Sequence, residues 1–313
     1  MTIYTRLERD EIDRLSARFP IGVLEDIKYI AAGQANSSFK LTTSTGIYVL
    51  SVCDEKAFGE VKRLARLLRH LAENGFRTTR VVRAKDGAMV IDYLGKPVLL
   101  KHYVAGSVPQ NMTAAMARQV GRELARLHQV IPPPGLPPSF AYGLASYGEV
   151  IASRSDDHYR EWLREKKAYL TQAISPDLPR CLIHGDVFYD NTLFNGQKLA
   201  AIIDFEEACH YYRTFDLGMC AAGFCTTGGL LDINKTRGLM DGYLASGNLS
   251  SREKKALQAF VIYGATATSF WRFRQYNLRR PGHENSKTYR QMNRIADQVH
   301  QMPVDDFFKA IFA

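Results

Sequence analysis

Nowhere does the sequence contain G-x-x-x-x-G-K-[ST], which excludes a P-loop as its means of holding a nucleotide. It has no C-x-x-C pair and only five cysteines, an odd number, so a thiolate metal site and a disulfide framework are both disfavoured; reduced thiols in a cytoplasm are expected. Its longest apolar run, Leu217 to Cys225, is far too short to cross a bilayer, and Met1 to Arg14 is charged without an apolar signal core, so no membrane association is expected. There is no internal repeat, no low-complexity basic arm and no RNA-binding signature. The net charge of +9 therefore favours small anionic ligands, and no nucleic-acid partner is expected. No feature specifies an oligomeric state. At 313 residues with 46% apolar content, the chain has the size and composition of an ordinary globular protein with room for two lobes.

What the sequence does contain is concentrated in one stretch. Leu182-Ile183-His184-Gly185-Asp186 reads as an apolar strand delivering a turn, Asn191 follows five residues after Asp186, and the strand Leu199 to Ile203 leads directly to Asp204-Phe205. Taken singly, a His-x-Asp is commonly a surface turn and an Ile-Ile-Asp-Phe commonly a strand end. Together they can bring three oxygen-bearing side chains to one small volume, the layout of a phosphoryl-transfer centre. Moving a γ-phosphoryl group asks for an aligned nucleophile and neutralised phosphate charge rather than covalent help from the protein. Mg2+ is served by an Asp, an Asn and the nucleotide phosphates. In the kinase arrangement an Asp accepts the hydroxyl proton, an Asn five residues later binds metal, and a later Asp bridges metal and phosphates; Asp186, Asn191 and Asp204 match those offsets. His184 reads as a hydrogen-bonder that pins the turn, since no second His or Cys stands at ligand spacing. Glu206 occupies the place of the glycine in Asp-Phe-Gly, and no Ala-Pro-Glu segment follows, which disfavours protein-kinase activity.

Upstream, strands are expected at Ile27 to Ala31, Phe39 to Thr43, Ile47 to Val52, Ala88 to Tyr93 and Val98 to Tyr103, the last two joined by the turn Leu94-Gly95-Lys96-Pro97. Between the first two lies a short polar loop containing Gly33, Asn36 and Ser37, whose backbone N–H groups could cover phosphates. Ser51 stands where protein kinases carry the phosphate-binding lysine of the third strand. Lys40 or Lys56 could substitute, with Glu60 to orient one of them. Downstream the pattern turns helical: Met116, Val120, Leu124 and Leu127 make one apolar stripe. The five prolines between Ile131 and Pro138 interrupt it. Further helices are expected at Asp157 to Ala173, Phe215 to Cys225, Lys235 to Ala245, Ser251 to Gln275 and Lys287 to Gln301.

His184-Gly185-Asp186 with Asn191 and Ile203-Asp204-Phe205 resembles the signature of the aminoglycoside phosphotransferase and choline kinase superfamily. Within it the chain is similar over most of its length to homoserine kinases of the second type, through segments such as Gly33 to Phe39, Tyr48 to Val52, Val104 to Ser107 and Gly121 to His128. The resemblance implies an α+β, protein-kinase-like two-lobe fold: a small antiparallel β lobe over 1–104 for nucleotide and a larger, mainly helical lobe over 105–313 for catalysis and acceptor. It implies ATP and Mg2+ as cofactors, a small-molecule hydroxyl acceptor as partner, and adenine held against the backbone of Lys101 to Val104, which includes Tyr103. Two departures concern the acceptor: Glu206-Glu207-Ala208-Cys209 replaces the family's usual text after the metal-binding Asp, and Ser269 stands where an Arg is common while Arg274 remains.

The expected acceptor is homoserine, giving O-phosphohomoserine; the alternatives are another amino alcohol (choline, ethanolamine, a hydroxylysine-like compound) or an aminoglycoside, with a nucleotide-binding pseudokinase as the non-catalytic reading. A zwitterion such as homoserine needs both a cation and an anion. Asp190 and Glu207 are candidate anions; Arg213, Arg272 and above all Arg274 are candidate cations. Ser250 to Ala313 holds eleven Lys and Arg against five Asp and Glu, a balance that disfavours polycationic acceptors.

Overall fold

A computed structural model describes residues 5–30 and 36–313, and in it the chain divides into two units, Met1–Ala105 and Gly106–Ala313. The first opens with helix α1 (Arg9–Ser16), whose N-terminus is tied by Glu11 accepting the Glu8 N–H at 2.9 Å. Sequence inspection saw only charge here, yet Ile12 and Leu15 at helical spacing are buried. Five antiparallel strands follow: β1 (Leu24–Ile30), β2 (Ser37–Thr43), β3 (Gly46–Val52), β4 (Ile91–Tyr93) and β5 (Lys96–His102), in the spatial order β1-β2-β3-β5-β4. Helix α2 (Phe58–Glu73) intervenes between β3 and β4.

Register assigns the two faces of this sheet. Phe39, Leu50 and Leu100 lie opposite one another across β2, β3 and β5 and are buried with Ile12, Leu15 and Phe19. One residue out of phase, Lys40, Val49 and Lys101 form the corresponding row on the other face. Strand β4 is shorter than expected. Lys85-Asp86-Gly87 folds into a turn that holds Ala88 through the Ala84 N–H to Ala88 carbonyl bond (2.8 Å) and the Ala88 N–H to Asp86 carboxylate bond (2.9 Å), so pairing begins only at Ile91. The β4–β5 connection is tighter than expected as well. Leu94 and Gly95 alone make it, both at positive φ (52° and 79°), and Lys96 and Pro97 already belong to β5.

The second unit is mainly helical, with α3 (Ala114–Leu127), α4 (Tyr147–Ile151), α5 (Asp157–Ala173), α6 (Arg213–Phe224), α7 (Ile233–Leu244), α8 (Ser251–Phe273), α9 (Tyr289–Gln301) and α10 (Val304–Phe312). Helix α3 starts on Thr113, which accepts the Met116 N–H, and buries the stripe Met116, Val120, Leu124 and Leu127. It crosses α7 so closely that a methyl group on Gly121 would stand 2.0 Å from the Leu239 carbonyl, and one on Gly242 1.9 Å from that of Arg118. Helices α6 and α8 are buried nearly all round, which explains why neither shows a one-sided stripe. At Arg274 the α-helical repeat of α8 gives way to a π-helical stretch running to Arg279, earlier than the expected end at Gln275. Helix α10 extends the helical half beyond Gln301, burying Phe307 and Ile311 four residues apart. Among these helices run three small antiparallel pairs, β6 (Arg180–Ile183) with β9 (Cys209–Tyr212), the hairpin β7 (Thr192–Asn195) with β8 (Lys198–Ile202), and the short hairpin β10 (Thr226–Thr227) with β11 (Leu230–Leu231). The expected architecture, a small antiparallel sheet lobe and a larger helical one, is the one adopted. Among the described residues no helix is long and apolar enough to cross a membrane.

Candidate active site

Strand β6 ends at Ile183 and hands the chain to His184-Gly185-Asp186. Gly185 adopts φ +84°, and a Cβ there would lie 2.6 Å from the Glu207 carbonyl oxygen, so the turn closes only with glycine. His184 is fully buried and uses both ring nitrogens: Nδ1 accepts the Asp186 N–H (3.1 Å), and Nε2 faces the Ile203 carbonyl (2.8 Å). That pattern fixes the neutral tautomer carrying its proton on Nε2, in keeping with a pKa lowered by burial. The ring therefore ties the turn holding Asp186 to the strand end preceding Asp204, as the sequence reading expected of it.

The same turn is gripped from α6. Asp216 is fully buried and accepts the backbone N–H groups of His184 (2.7 Å) and Gly185 (2.8 Å), while His128 of α3 meets its Oδ2 through Nε2 at 3.1 Å and leans on the Tyr243 hydroxyl at 3.0 Å. Tyr142 completes the clamp by donating to the Gly185 carbonyl at 2.9 Å. Sequence reasoning gave no role to Asp216, His128 or Tyr142. The available signal was a lone Asp at the head of the otherwise apolar run of α6.

Asp186, Asn191 and Asp204 come together. Asn191 donates through Nδ2 to the Asp186 carbonyl (2.8 Å) and to its carboxylate Oδ2 (3.2 Å), and the Asn191 carbonyl accepts the Ile203 N–H (2.9 Å), which places Asp204 beside it at the open end of the β7–β8 hairpin. Asp204 is solvent-exposed and held at φ +67°, one of only two non-glycine residues at positive φ among those described; such backbone gathers at functional turns. The Asp186 pKa is pushed up to about 8, first by desolvation in its densely packed surroundings and then by the charges of Asp204 and Asp190.

The remaining candidates are distributed unevenly. Asp190 is exposed at the edge of the same loop, its pKa raised by desolvation against the pull of Arg272. Glu207 accepts the Ala141 N–H at 2.9 Å, and its charge contributes to the rise at Asp186. Arg274 turns to Glu149 of α4 (3.3 Å) and to the Phe270 ring, and Arg213 is engaged by both carboxylate oxygens of Glu253, at 2.5 and 2.8 Å. Arg272 stands over the Phe188 ring, 5.8 Å from its centroid; burial lowers its pKa, opposed by Tyr189, Tyr276, Asp190 and Asp186. In the first unit, Lys40 and Lys101 share their row across the sheet, and the Lys40 ammonium lies 4.4 Å from the centre of the Tyr103 ring. Asn36 is half-buried at the entry to β2. Ser37 spends both its hydroxyl (2.7 Å) and its backbone N–H (3.1 Å) on Asp54. Gly33 lies outside the described residues. Ser51 meets the Ser38 hydroxyl at 3.0 Å, and Glu60 accepts the Ala57 N–H at the start of α2 instead of orienting a lysine.

Oxygen donors fit a hard divalent cation. With Asn191 Nδ2 committed to Asp186, its Oδ1 is the ligand atom on offer next to the exposed Asp204 carboxylate. Among the described residues no three His, Cys, Asp or Glu side chains cluster as a complete metal cage, so this pair would share its ion with phosphate oxygens.

Residues 26–247 match the phosphotransferase enzyme family known as APH, and the chain belongs to that family. It is a small-molecule kinase, a phosphotransferase that acts on hydroxyl groups. It is 29% identical over 285 residues to a homoserine kinase of Sinorhizobium fredii (strain NBRC 101917 / NGR234), covering 88% of this chain and 87% of that one. Its fold is similar to that of a microcompartment-associated aminopropanol kinase (TM-score 0.73, 16% identity, 97% of this chain and 100% of that one). It is likewise similar to an amicoumacin kinase in complex with AMP-PNP, Ca2+ and its ligand (TM-score 0.72, 14% identity, 95% of each chain). These likenesses carry the protein-kinase-like fold expected from the sequence.

Proposed function

We propose that this kinase transfers the γ-phosphoryl group of ATP to the side-chain hydroxyl of homoserine, giving O-phosphohomoserine and ADP. The meeting of Asp186, Asn191 and Asp204 at one end of the β7–β8 hairpin carries the reading. The likeness to homoserine kinases over 88% of the chain favours this acceptor. Asp186 accepts the hydroxyl proton as the acceptor oxygen bonds to the γ-phosphorus and the bond from that phosphorus to the departing ADP oxygen breaks. Asn191 and Asp204 are the residues that would hold Mg2+, and a bound Mg2+ neutralises phosphate charge. His184, Asp216 and Tyr142 keep the Asp186 turn from relaxing, so that the carboxylate is already aimed when substrates arrive. In the first unit, Lys40 and Lys101 supply positive charge to the nucleotide, Asn36 at the entry to β2 serves its phosphates, and the segment at Lys101 to Val104 receives adenine.

Incubation of the protein with ATP, Mg2+ and homoserine, with products weighed by mass spectrometry, tests the assignment. The expected outcome is ADP and a singly phosphorylated homoserine in equal amounts. Turnover of choline, ethanolamine or hydroxylysine with none of homoserine would reassign the acceptor.

A further inference from the structure

Three arginines of the second unit were candidates for an anionic ligand, and two of them are already spent. Arg213 is neutralised by Glu253 and Arg274 by Glu149. Arg272 differs. Its Nη1 donates to the Thr288 carbonyl (3.0 Å) and to Gln291 (3.3 Å), both uncharged, and among the described residues it has no carboxylate within ion-pair distance. Its Nε and Nη2 meet no acceptor there, and neither is shut away from solvent, whereas the unsatisfied Nε of Arg274 is. A partly buried guanidinium without a counter-charge is costly to hold, and two adjacent N–H groups left facing outward suit a bidentate anion. Its location is specific: it packs over Phe188, two residues beyond Asp186, and its charge acts on Asp190. Asp190 in turn is met by backbone N–H groups, its own and that of Asn191, but forms no ion pair among the described residues, and the Arg272 charge reaches it. Thr288 and Gln291 hold one side of the guanidinium through Nη1.

We infer that Arg272 and Asp190 are the two poles of an α-amino-acid subsite, Arg272 binding the acceptor's carboxylate and Asp190 its ammonium while the side-chain hydroxyl reaches Asp186. This rests on the kinase reading above and sharpens it: Arg272 is the residue that makes the enzyme prefer an amino acid to an amino alcohol lacking the carboxylate. Because Arg272 meets only the carboxylate, its loss affects the acceptor and spares the nucleotide. The π-helical stretch immediately after α8 gives this arginine a setting different from an ordinary surface helix.

The test compares homoserine with 3-aminopropan-1-ol, which is homoserine without its carboxylate, in wild type, Arg272→Gln and Arg272→Lys, measuring KM for each acceptor and for ATP. In Arg272→Gln the ratio of kcat/KM for homoserine to that for 3-aminopropan-1-ol is expected to fall about 10- to 100-fold, the span of one charge-assisted hydrogen-bonded pair, mostly through KM for homoserine. Arg272→Lys should recover part of the ratio. Asp190→Asn should weaken both acceptors, since both carry the ammonium. An unchanged ratio in Arg272→Gln, or a rise confined to KM for ATP, overturns the inference while leaving homoserine turnover by the wild type intact. If the wild type rejects homoserine but phosphorylates another hydroxy-amino acid in an Arg272-dependent way, the inference stands and the homoserine assignment falls. Should Arg272→Gln not fold, Arg272→Lys decides by the same ratio, and Asp190→Asn decides by KM, which should rise for both acceptors.

Discussion

Two carboxylates, one in each unit, show how differently the same group can be housed. In the first unit Asp54 has no exposed side-chain surface, and it is met by the Lys96 ammonium (2.6 Å), by the backbone and hydroxyl of Ser37 and by those of Thr5. Desolvation would raise its pKa, but the bonds from Lys96, Ser37 and Thr5 outweigh that and leave it lowered. In the second unit Asp186 is surrounded by acids, receives one side-chain carboxamide, and has its pKa pushed up to about 8. The protein stabilises the charge it uses to hold a lobe together. It leaves strained the charge it uses on a substrate, which is how a reactive carboxylate comes to need its partners from outside.

Four substitutions would break or sharpen this contrast, beginning with the largest effect. Asp186→Asn should lower turnover about 10³-fold, within the range lost with a general base, while the melting temperature taken above pH 8, where Asp186 is ionised, holds or rises because a crowded negative charge is gone; a clear loss of stability without loss of turnover would reverse the assignment. Asp216→Asn should cost about 3 kcal/mol of stability and most of the activity, since a buried carboxylate serving two backbone N–H groups and His128 loses its charge. Thermal melts beside activity at low temperature measure both.

Asp54→Asn should cost about 1–3 kcal/mol and leave kcat close to wild type. Here the sign follows from the lowered pKa: the wild-type carboxylate contributes stability that is fully present above the unfolded value, near pH 4, and is lost as pH falls from there through its lower folded value. Urea midpoints taken between pH 7 and pH 3 should therefore fall more steeply in wild type than in Asp54→Asn, and parallel curves would contradict the pairing. Arg274→Ala should do least, about 0.5 kcal/mol, because its partner Glu149 is half exposed. A large rise in KM for the acceptor in that variant would return Arg274 to the binding role expected of it from sequence.

Much of this was legible from the chain alone, for reasons of distance along it. Asp186, Asn191 and Asp204 fall within one local stretch whose strand and hairpin signals fix their meeting. The clamp was not legible, because its members are remote: Tyr142 stands 43 residues before Gly185, and Asp216 stands 32 residues after His184. Nor could spacing decide which arginine was already neutralised, since Arg272 and Arg274 differ only in which way they leave the helix end. Helix α10 did carry readable signs, a proline at its cap, Asp305 and Asp306 in its first turn and Lys309 in its last, but its brevity hid them. Strand β4 was overread because the Asp86 turn consumed its first residues.

The close crossing of α3 and α7 bears on how this enzyme will look to a saturation mutagenesis screen scored by growth or product. Gly121 and Gly242 have no room for even a methyl group, so they should rank with the triad in intolerance although neither donates a functional atom. Such a map, read without regard to shape, would draw a spurious second hot region along that seam. Intolerance that vanishes when the same library is scored in a stabilised background would separate the seam from the chemistry.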